Sequence, residues 1–486
     1  MEATIADIHA AMRANTLTCR ALVDAYLARI AAYDKRGPVL NAIVVVNPSA
    51  RALADELDRR FVASGPVGPL HCIPTIVKDN FETIGMQSAA GSRSLAGFTS
   101  ERDAISVARI KAAGAIVLAK SNMAEFAFSP YETLSSLHGQ TRNPYALDRT
   151  PAGSSGGTAA AVAASFGAVG LGTDTGNSIR GPSAHTALVG IRSTFGLTSR
   201  TGIVPLNALA DVPGPMARTV EDAVRVFQVI VGEDPEDPVT AAARGHPLPD
   251  YLASLTGRSE MRGRVGILRQ AYARDSADNE VLRIFEKAID DMRASCAEVV
   301  GEVVIAEVER PQASTTCRGF RHDLDEYLAT RGRRAPVHSL REIFASGRFS
   351  PTIRTRLERA LNARSDGPHS DACKAEIAYR QAFAAALGKA MDAEQLDALL
   401  YPTWSNPPRL IGDLTSPHGD NSQIFAPSSG FPAINVPMGY TRNGRLPAGL
   451  TLLGRAWDEA TLIRLASCYE LATKHRRPPP STPPLD

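Results

Sequence analysis

The chain reads as an α/β protein. Short apolar strands alternate with amphipathic helices along most of its 486 residues. Some strands, such as Ala115 to Lys120, are continuously apolar, the pattern of a strand buried on both faces. With 44% hydrophobic and 21% charged residues, the composition is that of a folded globular chain.

The elements follow in order. Residues 4–34 predict two helices, with Thr18 capping the second and Leu22, Val23, Tyr26, Leu27 and Ile30 on one face. Asn41 to Val46 predicts a strand, Pro48 to Ala63 a helix, and Pro69 to Val77 a strand that stops at Lys78-Asp79-Asn80. Asp103 to Ala113 is a helix closed by Gly114, ahead of the buried strand 115–120. A Gly/Ser/Pro/Asn-rich loop at 139–157 leads into a very apolar helix, Thr158 to Phe166, then a strand to Thr173 and a glycine-bearing loop from Asp174 to Ser178. Thr219 caps a helix over 219–231; Arg264 to Leu268 is a strand and 278–294 a helix. Residues 310–392 read as mostly helical, with loops at 331–335 and 364–370. Leu396 to Tyr401 is a strand, and Phe431 to Met438 pairs with Ala448 to Leu453 around an Asn443-Gly444 turn. Asp458 caps a last helix to about Thr473, and the proline-rich 478–484 is expected to fray. Neither repeats nor an interdomain linker break the pattern.

Several function classes fall away. Lys and Arg together number 53 against 51 Asp and Glu, a near-balance that argues against a nucleic-acid binder, which usually carries a clustered basic excess. The longest small-apolar run, Ala159 to Gly172, is 14 residues, short of the ~18 or more of a membrane span. The start lacks a basic stretch followed by an apolar core. Ten histidines show no HExxH or HxxxH spacing, so neither a metal nor another cofactor is expected. The six cysteines form no CxxC pair, which predicts reduced thiols in a cytoplasmic protein.

Three segments carry chemistry. Gly153-Ser154-Ser155-Gly156-Gly157 fits GxSxG around Ser155, but a nucleophile elbow needs a strand before it and here a loop precedes. Gly170 to Gly176 approximates a dinucleotide loop, yet Asp174 sits where a pyrophosphate would approach. The third is Lys78, at the end of an apolar strand in a chain with only eight lysines against 45 arginines. By itself it would read as a surface ion pair with Asp79. Taken together the segments supply a base, a relay and a nucleophile. Burial lowers a lysine from ~10.4 by ~3–5 units and leaves neutral amine near neutral pH, which arginine cannot do.

The block from Pro151 to Ala161, and on through Gly172 to Arg180, resembles the defining stretch of the amidase signature family. The likeness continues through Leu188–Arg200 and Gly214–Asp222, and returns at Gly430–Pro437 and Gly449–Arg455. It implies a single large domain over 1–486, a central mixed β-sheet flanked by helices on both faces. The family-like core is about 60–235 and 395–477, and a variable, mostly helical segment at about 240–392 is expected to shape the substrate pocket. The resemblance implies a Ser–cis-Ser–Lys triad at Ser178, Ser154 and Lys78, with an oxyanion hole of backbone N–H groups from Thr175, Gly176, Asn177 and Ser178. Ser155, Asp174 and Arg180 are expected to support it, and the Gly153–Ser154 bond to be cis.

Phe126, Phe128, Tyr131, Asn177, Trp404 and Phe425 are candidate pocket residues, equally readable as core. Asn177 and Ala152 stand where the family usually has glycine. Asn177 is expected to tolerate a positive φ and to reach toward the substrate. The activity implied is hydrolysis of a small-molecule amide by a monomer or homodimer, without nucleic acid or membrane. Anilide or carbamate hydrolysis is the nearest alternative. A glutaminase subunit of a tRNA-dependent amidotransferase carries a tyrosine-rich LGTY…SGYYDAYY-like stretch that 350–390 lacks. A non-catalytic nucleotide-binding protein is the remaining alternative.

Overall fold

In the computed structural model, residues 2–255, 263–309, 317, 319–363 and 367–485 are described. The start of the expected helical stretch, 310–316 and 318, and residues 364–366 of the expected loop lie outside them.

Eleven strands form one mixed sheet. They are β1 (Ile43–Val46), β2 (Pro74–Lys78), β3 (Ile116–Ser121), β4 (Val169–Asp174), β5 (Val189–Arg192), β6 (Val212–Ala217), β7 (Gly263–Ile267), β8 (Ala297–Glu302), β9 (Ala398–Pro402), β10 (Ala433–Thr441) and β11 (Leu446–Leu453). Their order is β1-β3-β2-β4-β6-β5-β10-β11-β9-β7-β8. β2 runs parallel to both β3 and β4, so the strand ending in Lys78 is central and fully buried. β6 is antiparallel to β4 and to β5. Helices flank the sheet. The helix Gly156–Ala163 is buried along its whole length, which explains its Gly/Ala composition.

Local signals hold where they are physical. The Thr18 side chain accepts from the Ala21 N–H, Thr219 from Asp222, and Asp458 from Thr461, each capping its helix. Asn443 and Gly444 both take positive φ between β10 and β11, as a tight hairpin requires.

Three findings correct expectation. All six cysteines are paired: Cys19–Cys72, Cys296–Cys468 and Cys317–Cys373, with Cα separations of 5.6, 5.7 and 4.2 Å. The partners lie 53, 172 and 56 residues apart, so no local spacing announces them. The C-terminal tail is docked, not frayed. Proline carbonyls remain good acceptors, and Arg29 donates to Thr482 O and Pro483 O at 2.8 and 2.9 Å while Ser481 Oγ donates to Pro144 O at 2.7 Å. Strands β5, β6 and β8 go unpredicted. β6 contains Pro213 and Pro215, which argue against a central strand. They are tolerated because β5 pairs only with Met216 and Ala217, leaving the proline positions free of ladder bonds on that side. Among the described residues, no helix is long and apolar enough to cross a membrane.

Candidate active site

Parallel strand ends gather functional groups, and Lys78 closes β2. Its side chain is fully buried. Its Nζ lies 2.7 Å from Ser154 Oγ and 2.7 Å from Thr173 Oγ1. Burial lowers its amine from 10.5 to about 7, against a partial upward pull from Asp211 and Asp174. The surface pairing with Asp79 is not formed: Asp79 Oδ2 instead accepts the Gly91 N–H at 3.0 Å. Asn80 Nδ2 donates to Thr173 Oγ1 at 3.1 Å and fixes the hydroxyl that faces Lys78.

The Ser154–Ser155 segment meets Lys78 from the loop that starts the buried helix. The Gly153–Ser154 bond is cis, and the Ser154 carbonyl accepts the Ala124 N–H at 3.1 Å. Ser155 Oγ donates to Thr173 O at 3.2 Å and accepts the Thr173 N–H at 3.4 Å. Ser155 thus braces the backbone beside Lys78 and, with a loop before it, does not form an elbow. Its own N–H donates to Ser178 O at 3.3 Å, holding the 175–178 turn against the Ser154 segment.

Beneath that turn lies a buried ionic lattice. Burial raises the Asp174 carboxyl, but Arg180 and Arg192 outweigh it and hold the group at about 2. Asp174 Oδ2 accepts Arg180 Nε at 3.1 Å and the N–H groups of Ile179 and Arg180 at 3.2 and 3.3 Å. Its Oδ1 accepts Arg192 Nη1 at 3.0 Å. The carboxylate is committed to two guanidiniums at the centre of the loop. Arg180 Nη2 also donates to Gly176 O at 2.6 Å. The N–H groups of Thr175, Gly176, Asn177 and Ser178 have no acceptor among the described residues.

The aromatic candidates separate into groups. Phe126 and Phe128 are buried and pack with Phe320 at ring distances of 5.7 and 4.6 Å. Phe425 packs on Phe383 and Tyr401. Trp404 stacks on His185 at 4.6 Å and donates Nε1 to Gly181 O at 3.0 Å. Tyr131 is half-buried and stands against His418 at 4.2 Å. Asn177 does not take a positive φ and its side chain is fully buried. Its Nδ2 donates to Asp420 Oδ1 at 2.8 Å. Ala152, by contrast, does take a positive φ of 64°.

Sequence reasoning missed Thr173, Asn80, Asp211 and Arg192. Thr173 and Arg192 lie inside the resembling blocks, so their polar character on apolar strands was the available signal. Asp420 had none, lying 243 residues from the Asn177 it binds.

The amidase family profile matches residues 21–463. The chain belongs to the amidase signature family. Its relatives include a glutamyl-tRNA(Gln) amidotransferase subunit from Roseiflexus sp. (strain RS-1), 36% identical over 98% of each chain. Among solved structures it is similar to the native peptide amidase of Stenotrophomonas maltophilia, at 37% identity over 98% of each chain and a TM-score of 0.88. It is also similar to a glutamyl-tRNA(Gln) amidotransferase subunit from Thermotoga maritima, at 28% identity, coverage of 96% and 93%, and a TM-score of 0.72. This amidase-family chain is an enzyme that hydrolyses C–N bonds.

Proposed function

We propose that this amidase hydrolyses a linear carboxamide through an acyl-enzyme on Ser178, with Ser154 as relay and Lys78 as general base. The observation that carries the reading is a fully buried lysine amine, lowered by burial to about 7, 2.7 Å from a serine hydroxyl that adjoins the nucleophile turn. Neutral Lys78 takes the Ser154 proton as Ser154 takes that of Ser178. Ser178 Oγ forms a bond to the carbonyl carbon, and the carbonyl π electrons move onto oxygen, where the 175–178 N–H groups receive them. The lysine proton returns through Ser154 to the nitrogen as the C–N bond breaks and the amine leaves. Water, deprotonated by the same relay, cleaves the ester and releases the acid. Asp174, Arg180, Ser155 and Thr173 hold the parts in register.

The substrate class we favour is the C-terminal amide of a peptide-like molecule, supported by the peptide amidase likeness over 98% of each chain. Anilides and carbamates are the competing linear substrates. In this reading the partly buried Tyr131 contributes to the substrate pocket. The enzyme acts alone, as a monomer or homodimer. A second reading, glutaminase subunit of a tRNA-linked complex, is favoured by a relative 36% identical along the chain. A hydrolysis panel of peptide amide, glutamine, anilide and carbamate, with light scattering of the pure protein, separates these. Peptide-amide turnover by the isolated chain supports the first, and activity on glutamine only in a complex supports the second. A cytoplasmic home requires three disulfides to survive a reducing thiol pool. Thiol counting on protein taken directly from cells tests it.

A further inference from the structure

The residue before Ser178 departs from the family's usual glycine, and its side chain is committed elsewhere. Asn177 Nδ2 donates to Asp420 Oδ1 at 2.8 Å. The amide lies over Gly181, where a Cβ would come 2.5 Å from Asn177 Nδ2 and 2.9 Å from Trp404 Cζ2. Glycine at 181 is therefore the space that asparagine at 177 needs. Asp420 is buried, and its carboxylate also accepts the Ser422 N–H at 3.0 Å and Gln423 Nε2 at 2.6 Å. The Gln423 amide in turn presses on Gly176, where a Cβ would fall 2.0 Å from its Oε1. Arg180 ties the same two loops again, donating Nη2 to Gly176 O at 2.6 Å and to Ser422 O at 3.2 Å. One carboxylate thus holds the neighbours of two peptide units whose N–H groups flank the nucleophile.

We propose that Asp420, acting through Asn177 and Gln423, is a positioning residue that aims the backbone N–H groups of residues 176–178 at the developing oxyanion. The proposal rests on Ser178 being the nucleophile. Asp420 acts in this proposal only through the groups it binds. Its oxygens are occupied by Asn177, Ser422 and Gln423. Oxyanion donors act only when held close to the productive geometry, so a loosened turn lowers the rate of bond formation more than substrate binding. Where glycine stands at this position the turn has no side chain to clamp. Here the clamp supplies an anchor reaching across the fold to the loop before the helix at Phe425–Ser429.

The test is a double-mutant cycle on the full-length enzyme with a peptide amide as substrate. The variants are Asn177→Ala, Asp420→Asn and the pair together, with Ser178→Ala as the control. Each single variant is expected to lower kcat by about 10–100-fold with KM within about twofold, and the double to lose no more than the worse single, because the two residues act through each other. Thermal melting confirms folding, and Asp420→Asn preserves side-chain volume. Unchanged kcat, losses that multiply independently, or a KM rise at constant kcat would overturn the clamp while Ser178→Ala stays inactive. Activity surviving in Ser178→Ala would overturn the nucleophile assignment and the clamp with it.

Discussion

The base assignment makes a sharp statement about pH. At pH 7, a lysine with its ordinary 10.5 would be neutral in only about 0.03% of molecules; with the amine at about 7, roughly half are neutral. Burial of Lys78 therefore raises the competent fraction by roughly a thousandfold. Measured on a peptide amide below saturation, kcat/KM should climb about tenfold per pH unit below 7 and level off above it. Lys78→Ala should remove most of the activity at pH 7 and recover part of it at pH 9–10, where hydroxide substitutes for the amine. A wild-type inflection near 10, or a profile flat across pH 6–8, would refute the neutral-lysine mechanism.

The same burial has a thermodynamic side. Between about 7 and 10.5 the unfolded chain binds a proton at Lys78 that the folded chain does not, so stability rises with pH across that window. Denaturant unfolding should show wild type gaining about 2 kcal/mol on Lys78→Met between pH 7 and 9, and a constant difference would contradict it. Asp174→Asn leaves Arg180 and Arg192 without their shared buried carboxylate and should cost about 3–5 kcal/mol, read as a lowered denaturation midpoint. The native enzyme should show no titratable thiols after denaturation without reductant and six after reduction. Breaking the pair Cys19–Cys72, which closes 53 residues, should cost up to about 4 kcal/mol on the chain-entropy estimate, measured by urea unfolding of Cys72→Ser.

Much of this site is legible in one sequence because its chemistry is written in unusual choices. A lysine ending an apolar strand in an arginine-rich chain, and serines in glycine turns, point to Lys78, Ser154 and Ser178. Caps at Thr18, Thr219 and Asp458 are legible because a cap is a contact within four residues. What stays hidden depends on distance or on tolerance. The disulfides and the Asn177–Asp420 bond join residues 53 to 243 positions apart, and no local pattern encodes such pairs. The strand at Val212–Ala217 breaks the proline rule because its neighbour makes no demand there. The side chain of Asn177, expected to reach for substrate, turns inward because Gly181 leaves room for it.

The central claim is that Ser178 carries the acyl group. Its most direct test is intact-mass analysis after treatment with a fluorophosphonate, followed by peptide mapping. One adduct per chain on Ser178, lost in Ser178→Ala and slowed in Lys78→Ala, is the predicted result. An adduct on Ser154 or Ser155, or amide hydrolysis that persists in Ser178→Ala, would contradict it.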